Sequence, residues 1–498
     1  MNKFKLSLII SCTVFQFATV TSISAQIFNK SFQVENRKID VKEFNAKVEE
    51  IIDKAEIPGL SLAVIDRNEV VFFNTYGYKE YKEIRNGEFK PKGKVNKKTV
   101  FEGCSLSKSF FVFAVHRLVD QGILNLDTPL YHYLEHPRLK HDDRYLKITG
   151  YMVLTHSSGI ENWQYYNNPD TLEILTEPGE AHIYSGEGYM YLAEVVAKLL
   201  GKSIESYMED LVYDPLKLKS TFTTFKNNRA LRNYSVGHDS FKKPQAKHKN
   251  KDVDIAGRIS TTAKDYGQVL IGIFGGDYLS KERLNHLTGG GIYMGEDPAG
   301  NIHKYGPGFA FFIDQAGDTI VYQYGDNGAF KGFGGYNVTR DAGFVFFSNG
   351  VQGDKIRGIL QELIFDIKEE DITQYPNEVL ATLNMYNEQG YMAALNYLRN
   401  RIQNDISKYE LEELSELFLN ENSEFSAYIS GEIISRSQED QRIYVLHGKA
   451  MMKNHKFKEA LVDFEKALEL DDMSSSDIEE LIAQCREQLK KEEAVLKE

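Results

Sequence analysis

The segment Phe101-Glu102-Gly103-Cys104-Ser105-Leu106-Ser107-Lys108-Ser109-Phe110 sets a hydroxyl and an amine three residues apart. On a helix, positions i and i+3 share a face, so Ser105 Oγ and the Lys108 amine can approach one another. Behind them Phe110, Phe111, Ala114, Val115, Leu118 and Val119 make an apolar stripe that runs to Gly122, a helix stop. Lys108 therefore falls at the start of a buried helix, where it loses water and its neutral amine can take a serine proton. The chemistry of such a pair is acyl transfer. Average composition gives roughly two Ser-x-x-Lys patterns by chance in a chain this long. The second one, Ser240 to Lys243, lies in a polar stretch with no helix to bury it and is read as coincidence.

Strands must hold this helix. Leu60 to Ile65 and Val70 to Phe73 flank Asp66-Arg67-Asn68 in the pattern of a hairpin, preceded by a helix-like Val41 to Ala55. A second strand set lies far downstream in Asp318 to Tyr324, Phe333 to Val338 and Phe344 to Ser348, with Thr339-Arg340-Asp341 as a turn. Between the sets the chain is mainly helical. The fold class expected is α+β: an antiparallel sheet flanked by helices, with an inserted helical region.

Beyond about Asp366 the sequence becomes near-continuous amphipathic helix, with Tyr375-Pro376-Asn377 as the linker. Ala394, Ala427 and Ala460 recur every 33 residues, close to the period of tetratricopeptide repeats. In the last copy Gly448, Ala460, Phe464 and Ala467 fill the small and aromatic positions; the middle copy departs at Gly431. The expected organisation is a leader over 1–25, a hydrolase domain over 26–366 and an all-α repeat domain over 367–498. The last is expected to bind a protein partner or a second copy.

With these elements in place the sequence resembles the serine β-lactamase and penicillin-binding-protein superfamily, in the branch of class C β-lactamases, D,D-peptidases and esterases. The resemblance covers about residues 45–350. It is carried by Ser105-x-x-Lys108, Ile57-Pro58-Gly59-Leu60, Gly122 to Leu130, Leu154-Thr155-His156-Ser157-Ser158-Gly159-Ile160 and Ser260 to Tyr266. It implies that Tyr184, in Tyr184-Ser185-Gly186, shuttles protons to the leaving group; the family's Asn is Gly186 here. It further implies that Gln323-Tyr324-Gly325 stands for the family's third motif, usually Lys-Thr-Gly or His-x-Gly. Gln323, Gly325 and Asp326 are then substrate-binding, and the oxyanion hole is the N–H groups of Ser105 and Asp326. Lys331 and Arg258 are the candidate substitutes for the missing cation.

Other chemistries are disfavoured. His156 invites a Ser-His-Asp reading, but there is no Gly-x-Ser-x-Gly elbow. No His-Glu-x-x-His spacing suggests zinc, so no metal and no cofactor are expected. A formal net charge of −13, with basic residues clustered only in Lys242 to Lys251, argues against a nucleic-acid partner. Lys3 and Lys5, an apolar run from Leu8 to Phe17 and small residues up to Ala25 read as a signal peptide, favoured over a lipid anchor at Cys12. Export to the periplasm or medium follows, without a membrane span. With the leader removed only Cys104 and Cys485 remain, far apart in sequence and on different expected domains, so no disulfide framework is expected, and Cys104 reads as a small buried hydrophobe. The expectation is an exported serine hydrolase for esters, amides or cell-wall peptides, with esterase or D-amino-acid peptidase activity favoured over β-lactamase activity. The rival is a catalytically weak β-lactamase-like protein that binds through its C-terminal helices.

Overall fold

The computed structural model describes residues 30–85, 88–163, 170–225, 233–245, 252–297, 299–367, 377–402, 406–436, 440–470 and 475–495. The expected leader, with Cys12, and Tyr375-Pro376 of the expected linker lie outside these residues.

The strands are β1 (Ser31–Val34), β2 (Arg37–Asp40), β3 (Gly59–Asp66), β4 (Glu69–Arg85), β5 (Glu88–Lys94), β6 (Phe101–Glu102), β7 (Ser260–Thr261), β8 (Ile292–Glu296), β9 (Ile302–Tyr305), β10 (Ala310–Ile313), β11 (Thr319–Asp326), β12 (Lys331–Asn337) and β13 (Ala342–Ser348). Nine of them form one sheet in the order β5-β4-β3-β13-β12-β11-β10-β9-β8, and its pairings are antiparallel. The chain's early and late strands thus meet at β3 and β13. β3 and β13 are buried along their whole length, because the sheet separates two cores. Leu60, Leu62, Val64, Phe344 and Phe346 face one core, while Ala63, Ile65, Val345 and Phe347 face the other, the two-residue alternation of a strand.

The expected hairpin is present. Its central residues Arg67 and Asn68 have φ of 50° and 61°, the left-handed pair of a tight turn whose twist suits the flanking strands. β4 runs well past Phe73 because it changes partner: it pairs with β3 as far as Gly77 and with β5 from Tyr78 onward. Strands β8 to β10 carry no clear alternation and were not expected.

Eight helices precede residue 366 among the described residues: α1 (Val41–Lys54), α2 (Ser107–Asp120), α3 (Gly150–Leu154), α4 (Gly186–Leu200), α5 (Ile204–Met208), α6 (Ala263–Phe274), α7 (Lys281–Thr288) and α8 (Arg357–Phe365). Asp40 caps α1 by accepting from Lys42 N–H and Glu43 N–H at 2.8 and 3.0 Å. Helices α1 and α8 cover one face of the sheet, and α2 and α6, with the inserted helical region, cover the other.

An all-helical region follows: α9 (Glu378–Gln389), α10 (Tyr391–Arg401), α11 (Lys408–Phe418), α12 (Ser423–Arg436), α13 (Gln441–Lys453), α14 (Phe457–Leu470) and α15 (Ser475–Val495). Ala394 and Ala460 are fully buried on α10 and α14. A Cβ on Gly448 would lie 2.6 Å from Phe464, so α13 and α14 approach closely there only because the residue is glycine. Ser240 is buried rather than solvated, since α11 packs over it and Glu413 accepts its N–H.

Candidate active site

Ser105 sits in a tight helical turn, Cys104–Leu106, that leads directly into α2. Cys104 before it has φ of 49°, a left-handed conformation costly for a non-glycine residue and kept only where the surroundings dictate it. They do so here. Cys104 is buried, and its thiol, pushed well up by burial, donates to Phe330 O at 3.5 Å. Gly103 lies against Ile259 O, where a Cβ would come within 2.6 Å. β6 pairs with β7 and Gly103 N–H donates to Ile259 O, so residues 259–261 run alongside the Ser105 turn.

Lys108 is fully buried. Its Nζ donates to Ala256 O at 2.7 Å and lies 3.5 Å from Ser105 Oγ, which is partly exposed to the cleft. Two aromatic faces complete its surroundings, Tyr184 at 4.6 Å and Tyr189 at 5.6 Å. The i, i+3 spacing thus brings serine and lysine together, and Tyr184 joins them from the loop before α4. Among the described residues the buried Tyr184 Oη has no hydrogen-bond partner.

His156 stacks on Tyr184 with ring centroids 4.0 Å apart. Its Nδ1 accepts Ser185 N–H at 3.0 Å, which leaves the proton on Nε2. Burial holds its pKa well below the usual histidine range. A triad histidine donates from Nδ1 to a carboxylate; this one accepts there, so it positions Tyr184 and Ser185.

The third expected motif lies on β11. Alternation turns Gln323 and Gly325 to the face of Ser105 and Tyr324 and Asp326 to the opposite face. Gly325 passes against the Ser105 turn, where a Cβ would lie 2.6 Å from Leu106 and 3.0 Å from Cys104. Gln323 is buried, and its Oε1 accepts from Tyr305 Oη at 2.8 Å. Through Tyr305, whose ring lies 4.6 Å from His156, Gln323 joins the cluster around Lys108.

β10 covers β11 only as far as Tyr322, leaving Gln323–Asp326 as an open edge. Asn327 N–H is spent on Phe330 O at 3.1 Å. By strand alternation Asp326 N–H then points the other way, out to the open edge. The Asp326 carboxylate pairs with Lys331 at 2.7 Å, so Lys331 has its charge matched on the far face of the strand. Arg258 is exposed and pairs loosely with Asp254 at 3.7 Å.

Sequence reasoning missed several neighbours. Trp163, the chain's single tryptophan, fills the space above Gly186, where a Cβ would come within 2.2 Å of its ring. Buried Glu102 accepts from Tyr234 Oη at 3.2 Å and from Asn327, which also donates to Gly257 O. Ala256 O, which anchors Lys108, leaves no trace in side-chain patterns because it is a backbone atom. Among the described residues no group of three His, Cys, Asp or Glu side chains gathers as metal ligands do, and no helix is long and apolar enough to cross a membrane.

Residues 44–369 match the family model described as Beta-lactamase. The chain belongs to this family. It is 31% identical over 248 residues to an N-acetylmuramyl-L-alanine amidase of Bacillus subtilis, covering 42% of this chain and 56% of that one. It is 28% identical over 202 residues to a beta-lactamase of Yersinia enterocolitica, covering 38% and 48%. The chain spans about half the length of these curated relatives. Among solved structures, the octameric penicillin-binding protein homologue from Pyrococcus abyssi superposes with a TM-score of 0.55 at 20% identity, covering 70% of this chain and 82% of that one. A class C beta-lactamase gives 0.54 at 18%, covering 66% and 96%. At these identities the structural likeness speaks for the fold.

Proposed function

We propose that the protein is an exported serine hydrolase that works by acyl transfer, with Ser105, Lys108 and Tyr184 as catalytic residues and the Gln323, Gly325 and Asp326 edge as the substrate-binding strand. One observation carries the reading above the rest: a fully buried lysine is pinned by Ala256 O beside the partly exposed Ser105 hydroxyl. Ser105 Oγ attacks the substrate carbonyl as its proton passes to the Lys108 amine. The resulting oxyanion lies between the N–H groups of Ser105 and Asp326. Collapse breaks the bond to the leaving group, which takes a proton relayed through Tyr184, and leaves an ester on Ser105. Water attacks that ester, releases the acid and restores the hydroxyl.

Neutral esters and amides are the proposed substrates. Gln323 is uncharged, and Lys331 is occupied by Asp326, so a substrate carboxylate meets no dedicated cation on β11. Export rests on residues 1–25. The helix pairs of 367–498 are read as a tetratricopeptide-like array that binds a protein or a second copy. The deciding experiment is labelling with a fluorophosphonate followed by peptide mapping. The expected adduct is on Ser105 and is lost in Ser105→Ala; an unlabelled native protein would favour the inactive, binding-only reading.

A further inference from the structure

Helix α11 belongs to the C-terminal helical region, outside the family-matched residues 44–369, yet it reaches the β11–β12 hairpin. We propose that Tyr409 on α11 is a positioning residue for the β11 edge, so that the appended helical region braces the candidate active-site strand from its far face. This rests on the reading of Asp326 N–H as an oxyanion donor.

Asp326 and Lys331 face one another directly across the β11–β12 pair. Lys331 is 2% exposed, and a lysine buried that deeply must have its charge matched. Asp326 matches it from one side at 2.7 Å. Tyr409 closes another side, its ring 4.6 Å from Lys331 Nζ. The same ring sits over the hairpin turn, where a Cβ on Gly328 would be in ordinary contact with it at 3.7 Å. The hairpin that ends in the proposed oxyanion donor is thus held from behind by an aromatic face.

Helix α11 is fastened well enough to hold it. Tyr409 and Glu413 stand at i and i+4, on one face of the helix, with Glu410 beside Tyr409 in sequence. Glu410, fully buried, pairs with Lys355 at 2.7 Å. Glu413 accepts Ser240 N–H at 3.2 and 3.3 Å. Ser240 is itself held by Gln352 and Asn377 at 2.8 Å each. Buried directional bonds of this kind do not permit sliding, because a slip leaves polar groups unpaired. Tyr409 acts on the reaction only through Lys331 and Asp326 and touches no reacting atom.

Loss of one oxyanion donor costs roughly 10²–10³ in turnover, and partial misplacement of it costs less. Tyr409→Ala in the full chain should therefore lower kcat for p-nitrophenyl butyrate about 10- to 100-fold and leave KM within about twofold, because the lost contact acts in the transition state. Tyr409→Phe keeps the ring and should restore kcat. Amide hydrogen exchange gives a readout that needs no turnover: peptides spanning 323–331 should exchange faster in Tyr409→Ala and at the native rate in Tyr409→Phe. Unchanged exchange there overturns the clamp whether or not the protein is an esterase. Faster exchange with native kcat overturns its bearing on catalysis, and failure of Phe to rescue shows that the ring face is not what matters. Should the Ala variant not fold, Tyr409→Leu preserves bulk without the aromatic face and carries the same expectations. An inactive native protein that still shows the exchange pattern would sink the catalytic reading while the clamp stands.

Discussion

Trp163 and Gly186 share one space: a Cβ on Gly186 would fall 2.2 Å from Trp163 Cζ2. Any side chain at position 186 would meet the indole at the start of α4. Gly186→Asn cannot restore the usual motif while Trp163 is present. It should destabilise the protein by about 1–3 kcal/mol, as overpacking does, and lower activity. Gly186→Asn combined with Trp163→Gly should recover most of the stability. Thermal denaturation of the three variants checks this, and additive losses in the pair would refute the shared-space account.

Lys108→Met keeps the bulk of a buried side chain and removes the proton acceptor. It should reduce turnover by roughly 10²–10⁴, with the fold intact by circular dichroism. Tyr184→Phe should separate activity from stability more cleanly. Tyr184 Oη is buried with no partner among the described residues, so its removal forfeits no hydrogen bond and relieves a desolvated hydroxyl. We expect an unchanged or higher Tm together with a kcat at least tenfold lower. A native kcat in Tyr184→Phe would remove Tyr184 from the proton path.

Specificity should follow charge. A hydrogen bond to a charged group is worth roughly 1.5–3 kcal/mol, one to two orders of magnitude in discrimination. The native protein should therefore favour a neutral ester over nitrocefin by about that factor. Gln323→Lys should narrow the gap only partly, because it also breaks the Tyr305 to Gln323 bond of 2.8 Å. Efficient nitrocefin turnover that is insensitive to Arg258→Ala would show that the missing cation does not set specificity.

The docking of α11 should depend on pH through Glu413. Burial, followed by the nearby Asp239 and Glu410 charges, lifts its pKa from 4.5 to about 7, against the lowering effect of the Ser240 hydrogen bonds. A carboxyl with a raised folded-state pKa is best tolerated while protonated. Its destabilisation is absent below about pH 4.5, grows as pH rises and is complete above pH 7. The full effect is on the order of 3 kcal/mol. Glu413→Gln should be more stable than the native chain at pH 8 and equal to it near pH 4.5, measured as the difference in Tm across that range. A pH-independent difference would show that Glu413 is not buried as described.

Much of the candidate site was legible in local sequence, because it is built on a single turn of chain. Ser105 and Lys108 meet through helical spacing alone, and the apolar stripe from Phe110 to Val119 announces the buried helix that holds them. The same holds for the hairpin at Arg67-Asn68 and for β3 and β13, where burial on both faces shows in the sequence as short continuous apolar runs. The helical character from Glu378 onward among the described residues was legible for the equivalent reason at period 3.6. What only the tertiary structure decided depends on residues far apart in the chain or on backbone atoms. Ala256 O holds Lys108, Trp163 fills the space beside Gly186, Asp326 pairs with Lys331, and Tyr409 reaches back across the chain to cap that pair. A lysine in a sequence shows its charge but not its partner, and a carbonyl shows nothing. Contacts of this kind are fixed by how elements pack, where space and unpaired charge are settled between neighbours that no local pattern identifies.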